Sequence, residues 1–100
     1  MLNDSGLRSF AQKVLQIGKK INQMQDNRSF GEQVFIFAIK QTIAPKMSKN
    51  QFDQLMIQAM QKGFLRLNRL DLVQSQDDNM QMVQQSEINY MNASFHLVEV

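Results

Sequence analysis

Residues 47 to 70, MSKNQFDQLMIQAMQKGFLRLNRL, carry the clearest structural signals in the chain. Ser48 and Gln51 form a capping box, and Met47 and Phe52 are spaced to close it as a hydrophobic staple. Phe52, Leu55, Met56, Ala59 and Met60 then fall on one stripe at helical spacing, and Gly63 stands where a left-handed residue ends a helix. At 100° per residue the opposite face carries Asn50, Gln54, Gln58 and Gln61, amides without formal charge. From Phe64 the period changes to two, with Leu65 and Leu67 alternating against Arg66 and Asn68. The stretch reads as a helix over 49 to 62 followed at once by a strand over 64 to 70.

Two further helices are expected upstream. Asp4 and Ser5 are placed to cap the first, which puts Leu7, Phe10, Ala11, Val14, Leu15 and Ile21 on one stripe and fades near Gln23. Gly18 lies beside that stripe, where a missing side chain permits close helix contact. Ser29 and Glu32 form another capping box, which predicts a second helix through Val34-Phe35-Ile36-Phe37-Ala38-Ile39, apolar all round and suited to the centre of the domain. Periodicity alone leaves that run open to a buried strand, but its continuation through Lys40-Gln41-Thr42 favours helix, and Pro45 ends it. Downstream, Gln74 to Asn79 is a polar loop, and Asp77 could cap a short turn holding Met80 and Val83. The end alternates again, Phe95 and Leu97 against His96 and Val98, so 94 to 99 pairs with 64 to 70 across a long excursion. The expectation is one α+β domain over residues 1–100, a three-helix core followed by a two-stranded antiparallel ribbon.

The chain has 100 residues, 43% of them hydrophobic, enough for one core and too many for a disordered tail. It has no cysteine, which excludes disulfides, thiolate metal sites and cysteine nucleophiles. Its longest apolar run, Val34 to Ile39, is far short of a membrane span. Residues 1 to 10 lack a hydrophobic export core, which implies a cytoplasmic chain. The net charge of +2 conceals a division. Residues 1 to 70 hold all eleven Lys and Arg against four acids, a formal +7, while residues 71 to 100 hold five acids and no Lys or Arg, a formal −5. A polyanion would suit the first part and be repelled by the second.

Helix, helix, helix, strand, long loop, strand resembles the order of a winged helix-turn-helix domain, with residues 47 to 70 looking like its last helix and first wing strand. The likeness covers roughly 29 to 99. It implies a small DNA-binding protein, a dimeric regulator or an accessory factor, with helix 49 to 62 in the major groove. Asn50, Gln54, Gln58 and Gln61 would then face base edges, since amides pair bidentately with adenine. Lys46, Lys49 and Lys62, with Lys13, Lys19 and Lys20 of the first helix, would neutralise phosphates.

The acidic 71 to 93 segment suggests an alternative partner. Met80, Met82, Val83, Tyr90 and Met91 cluster there, and flexible thioethers suit adaptable binding surfaces. The alternative is a protein-interaction module that docks a protein partner or a twin. No membrane contact and no small-molecule substrate is evident. Nor do the residues suggest an enzyme, a metal or a cofactor: His96 is the sole histidine, Ser29 and Ser48 are engaged as caps, and Asp77-Asp78-Asn79 lacks the glycine and glutamate of a calcium loop.

Overall fold

The computed structural model describes residues 3–26, 28–69 and 83–100. Three helices, α1 (Asp4–Gln23), α2 (Ile36–Ile43) and α3 (Lys49–Gln61), pack on a four-stranded sheet. The sheet comprises β1 (Ser29–Phe30), β2 (Gln33–Phe35), β3 (Leu67–Asn68) and β6 (Leu97–Glu99), in the order β1-β2-β6-β3 and antiparallel throughout. A separate hairpin of β4 (Ile88–Tyr90) and β5 (Ala93–Phe95) precedes β6, and a single helical turn at 83–86 precedes the hairpin.

The third helix follows its signals closely. Ser48 Oγ accepts from the Gln51 N–H at 3.2 Å, and Phe52, Met56 and Ala59 are fully buried. Gly63 takes φ +80° and stops the helix, as its position demands of a residue without Cβ. Asn3 caps α1, accepting from the Gly6 N–H at 2.8 Å, in place of the expected Asp4 or Ser5. Leu7, Ala11, Val14 and Ile21 form its buried stripe, and Phe10 meets Phe52 edge-on at 5.9 Å. A Cβ on Gly18 would run into Val100 Cγ1, so this glycine marks where α1 meets the end of β6.

The second helix starts later than its capping box implies. Ser29 lies in β1, Gly31 turns the chain at φ +68°, and Gln33–Phe35 return as β2. The apolar run is therefore divided: Val34 and Phe35 extend along β6, and Ile36 begins the helix. Pairing with β6 decides the matter, because a β-branched and an aromatic residue beside a left-handed glycine turn suit a strand. The same pairing corrects the two-stranded ribbon, since β6 lies between β2 and β3 and not at an edge.

Alternation across the sheet divides the core. Val34, Val98 and Leu67 sit opposite one another and face the helices, joining Val14, Ile39, Phe52 and Met56 in the main cluster. Phe35 and Leu97 face the other way, where Val83 covers them. Phe95 packs on the main cluster while Leu97 belongs to the second, so the expected common face for this pair is broken at His96, between β5 and β6.

The turn at 83–86 also completes α2. Phe35 offers no side-chain cap, and the Phe37 N–H donates instead to Ser86 Oγ, fully buried, at 3.0 Å. Removing that hydroxyl strands a buried donor at the helix start. Ser86→Ala is expected to lower stability by about 1–3 kcal/mol, read as an earlier urea midpoint with an unchanged slope.

Candidate functional site

The outward side of α3 and the β4–β5 hairpin form one surface. Ile88 pairs with Phe95 and Tyr90 with Ala93, leaving Met91 and Asn92 as a two-residue turn. Both take positive φ, 49° and 66°, the geometry that matches strand twist in tight hairpins. Asn adopts it readily, whereas a Met pays about 1–2 kcal/mol. Met91 is also 79% exposed, so the tip holds an apolar side chain in water on a strained backbone. Ser94 Oγ donates to Asn89 Oδ1 across the strands at 2.8 Å. None of residues 88 to 95 is charged.

The hairpin is fastened along α3 at both ends. Lys49 Nζ, in the first turn of α3, donates to the Glu87 carbonyl and pairs with the Asp53 carboxylate. Gln61 Nε2, in the last turn, donates to the Tyr90 hydroxyl at 2.6 Å. Between them Ile88 is buried in the main core. The hairpin thus runs from the start of α3 to its end, leaving a narrow groove lined by Asn50, Gln54, Ile57 and Asn89. Asp53 lies half-buried beside this groove. Burial pushes its carboxyl above the ordinary range, and Lys49 and then Lys40 pull it back.

Of the amide row, Asn50, Gln54 and Gln61 are exposed. Gln58 is half-buried, and its Oε1 is enclosed without a donor among the described residues. The lysines differ in how far they are engaged. Lys46 is exposed in the turn before α3, Lys49 is spent on Asp53 and Glu87, and Lys62 faces Asp4 at 3.2 Å. On α1, Lys13 and Lys20 project about 120–140° away from the buried stripe, and Lys19 stands about 100° round from Lys20. Lys13 and Lys20 therefore point away from the core that α1 packs on.

The docking residues separate as well. Val83 is not a surface residue: it is 2% exposed, packed on Phe35 and Leu97. Tyr90 is half-buried with its hydroxyl engaged, and Met91 is fully presented. Met80 and Met82 lie outside the described residues, as does most of the acidic excursion. The α3–hairpin latch had faint sequence signals at best. Asn92 after Met91, flanked by Ile88-Asn89-Tyr90 and Ala93-Ser94-Phe95, is a tight-turn signature, but no local pattern marks Lys49 for Glu87 or Gln61 for Tyr90.

Among the described residues no group of three or more His, Asp or Glu is placed to hold a metal, and no helix is long and apolar enough to cross a membrane. His96 is buried, with Nε2 3.8 Å from Glu87 Oε1. Burial holds its imidazole below the ordinary value, Glu87 raises it in part, and Arg69 lowers it further. The folded chain therefore binds this proton less readily than the unfolded chain does. Stability should be full above the unfolded value and fall as pH drops from about 7 towards 5, a loss that His96→Gln should blunt in urea titrations at both pH values.

No family model, no curated protein and no solved structure matches this chain.

Proposed function

We propose that the chain is a winged-helix-like DNA-binding protein, acting as a regulator or accessory factor, with α3 as its reading element. The observation that carries the proposal is the presentation of Asn50 and Gln54 on the exposed side of α3, beside a hairpin without charge that Gln61 fastens through Tyr90. Buried beneath it, Phe52, Met56 and Ala59 anchor the helix to the core, so the amides project from a rigid support. The chain order supports the same reading. β2 follows α1, α2 and α3 follow β2, and β3 and β6 complete the sheet with β6 in the middle.

The electrostatics set the character of this binding. Lys49 and Lys62 already face carboxylates, and Lys13 and Lys20 stand on the outer side of α1, so Lys46 and a redirected Lys62, the lysines flanking α3, supply most of the phosphate contact. Two or three phosphates give a slope of log affinity against log salt of about −2 to −3, shallow for a DNA-binding protein. Base discrimination then falls to the amides, each bidentate pair contributing about 1–3 kcal/mol.

A fluorescence anisotropy titration with labelled duplex DNA at low salt tests this directly. Binding with that shallow slope is expected. Lys46→Glu should weaken binding to every sequence alike, and Gln54→Ala should change which sequences are preferred. Absence of binding to any duplex at low salt ends the proposal.

The exposed, strained Met91 favours a second reading, a protein-docking module that engages a partner or a second copy through the hairpin tip. In that case Met91→Asp dissociates a complex seen by analytical ultracentrifugation while the circular dichroism spectrum is unchanged. A wild-type chain that sediments as a lone monomer, alone and with duplex DNA, retires the self-docking form of this reading.

A further inference from the structure

At one end of the sheet order, β3 presents an edge. The carbonyls of Arg66 and Asn68 accept from the N–H groups of Glu99 and His96 of the neighbouring segment. By the alternation of an antiparallel ladder, Leu67 directs its own N–H and C=O away from β6, to the outer edge. No strand pairs with that edge among the described residues, since β3 ends the order β1-β2-β6-β3. An edge unpaired among the described residues is a template for another extended chain.

The edge borders a groove of about 480 Å³. Leu15 of α1, Met60 of α3 and Phe64 line it beside the backbone of Leu65 to Leu67. All three apolar side chains are half-buried, so the floor is apolar and reachable. Its rim is cationic. The Arg8 guanidinium lies 4.7 Å over the Phe64 ring, and Arg66 stands with its side chain 77% exposed. Lys62 precedes the lining glycine Gly63, and exposed Lys19 stands one helical turn beyond Leu15 on the same flank of α1. Among the described residues, Asp4 and Glu99 stand against these four cations, each already facing one of them.

We propose that this edge and groove bind an extended acidic peptide segment of a partner protein by strand addition. Main-chain hydrogen bonds form to Leu67, an apolar side chain enters over Leu15, Met60 and Phe64, and flanking carboxylates meet Arg8, Arg66, Lys19 and Lys62. Charge decides between this occupant and a second copy of the chain. Two such edges paired about a two-fold axis set one cationic rim against another, whereas an acidic strand neutralises the surplus. The site shares only Lys62 with the α3–hairpin surface, and its edge, its apolar floor and its other three cations stand whatever that surface binds.

The test uses an acetylated peptide alternating glutamate with valine, its counterpart with lysine for glutamate, and the full chain followed by amide NMR. The glutamate peptide is expected to bind, to slow hydrogen exchange at the Leu67 amide and to shift Leu15 and Phe64 resonances; the lysine peptide should do none of this. Arg66→Glu, on an exposed side chain, should keep the wild-type spectrum and weaken the glutamate peptide by roughly tenfold or more. The proposal is overturned by equal binding of the two peptides, by no binding of either, or by shifts confined to α3 and the hairpin. Shifts at Leu67 that grow with protein concentration alone would overturn it in favour of a second copy.

Discussion

The fold depends on β6 using its backbone in both directions. The N–H groups of His96 and Glu99 donate to Asn68 and Arg66 on one side. On the other, the His96 carbonyl accepts from Ile36 and the Val100 N–H donates to Glu32. A strand bonded on both sides cannot slip by one residue without sending Val98 out of the helical core and Leu97 out of its own cluster. β2 and β3 are too short to form a sheet alone, and each owes its position to this strand. Because β2 runs directly into α2 and β3 follows α3 within a few residues, the same strand fixes where the helices stand.

That arrangement explains why both faces of so small a sheet are buried. Val34, Val98 and Leu67 complete the floor under the three helices, while Phe35 and Leu97 need the cover that Val83 provides. Ser86 sits in the same turn and closes the start of α2, so one segment both shields apolar surface and satisfies a helix terminus. The hairpin that follows is held against α3 by Lys49 and Gln61. The amide face is consequently read together with its neighbour, and the flank at Asp53 and Ile57 is no longer open.

Local signals were legible wherever the chain solved its own problem locally. The Ser48 cap, the Gly63 stop, the stripe through Phe52, Met56 and Ala59 and the alternating burial at Leu65 to Leu67 all appear in the structure, although the expected strand over 64 to 70 is paired only at Leu67–Asn68, where β6 reaches it. What was not legible came from distant partners. Ser29 and Glu32 spelled a capping box, yet pairing of Val34 with Val98 drew that stretch into a strand. Val83 looked like a docking residue beside its methionines, yet Phe35 and Leu97 enclose it. The lysines could be counted from the sequence, but the engagement of Lys49 with Glu87 and of Lys62 with Asp4 came from partners far away in the chain. Exposed Asn50 and Gln54 were legible as a face; the hairpin beside them was not.

The central place of β6 has a consequence for how the molecule is made. This strand follows β2 by about sixty residues. A chain emerging from the ribosome therefore completes all three helices well before the element that locks them arrives. Until then the Val34 and Leu67 strands offer bare edges, and α2 begins without its hydroxyl partner. Such late, long-range closure slows folding and lengthens the interval in which nascent chains can pair with each other. Seven exposed glutamines and Asn50 on the three helices keep much of the helical exterior hydrated during that wait without adding net charge.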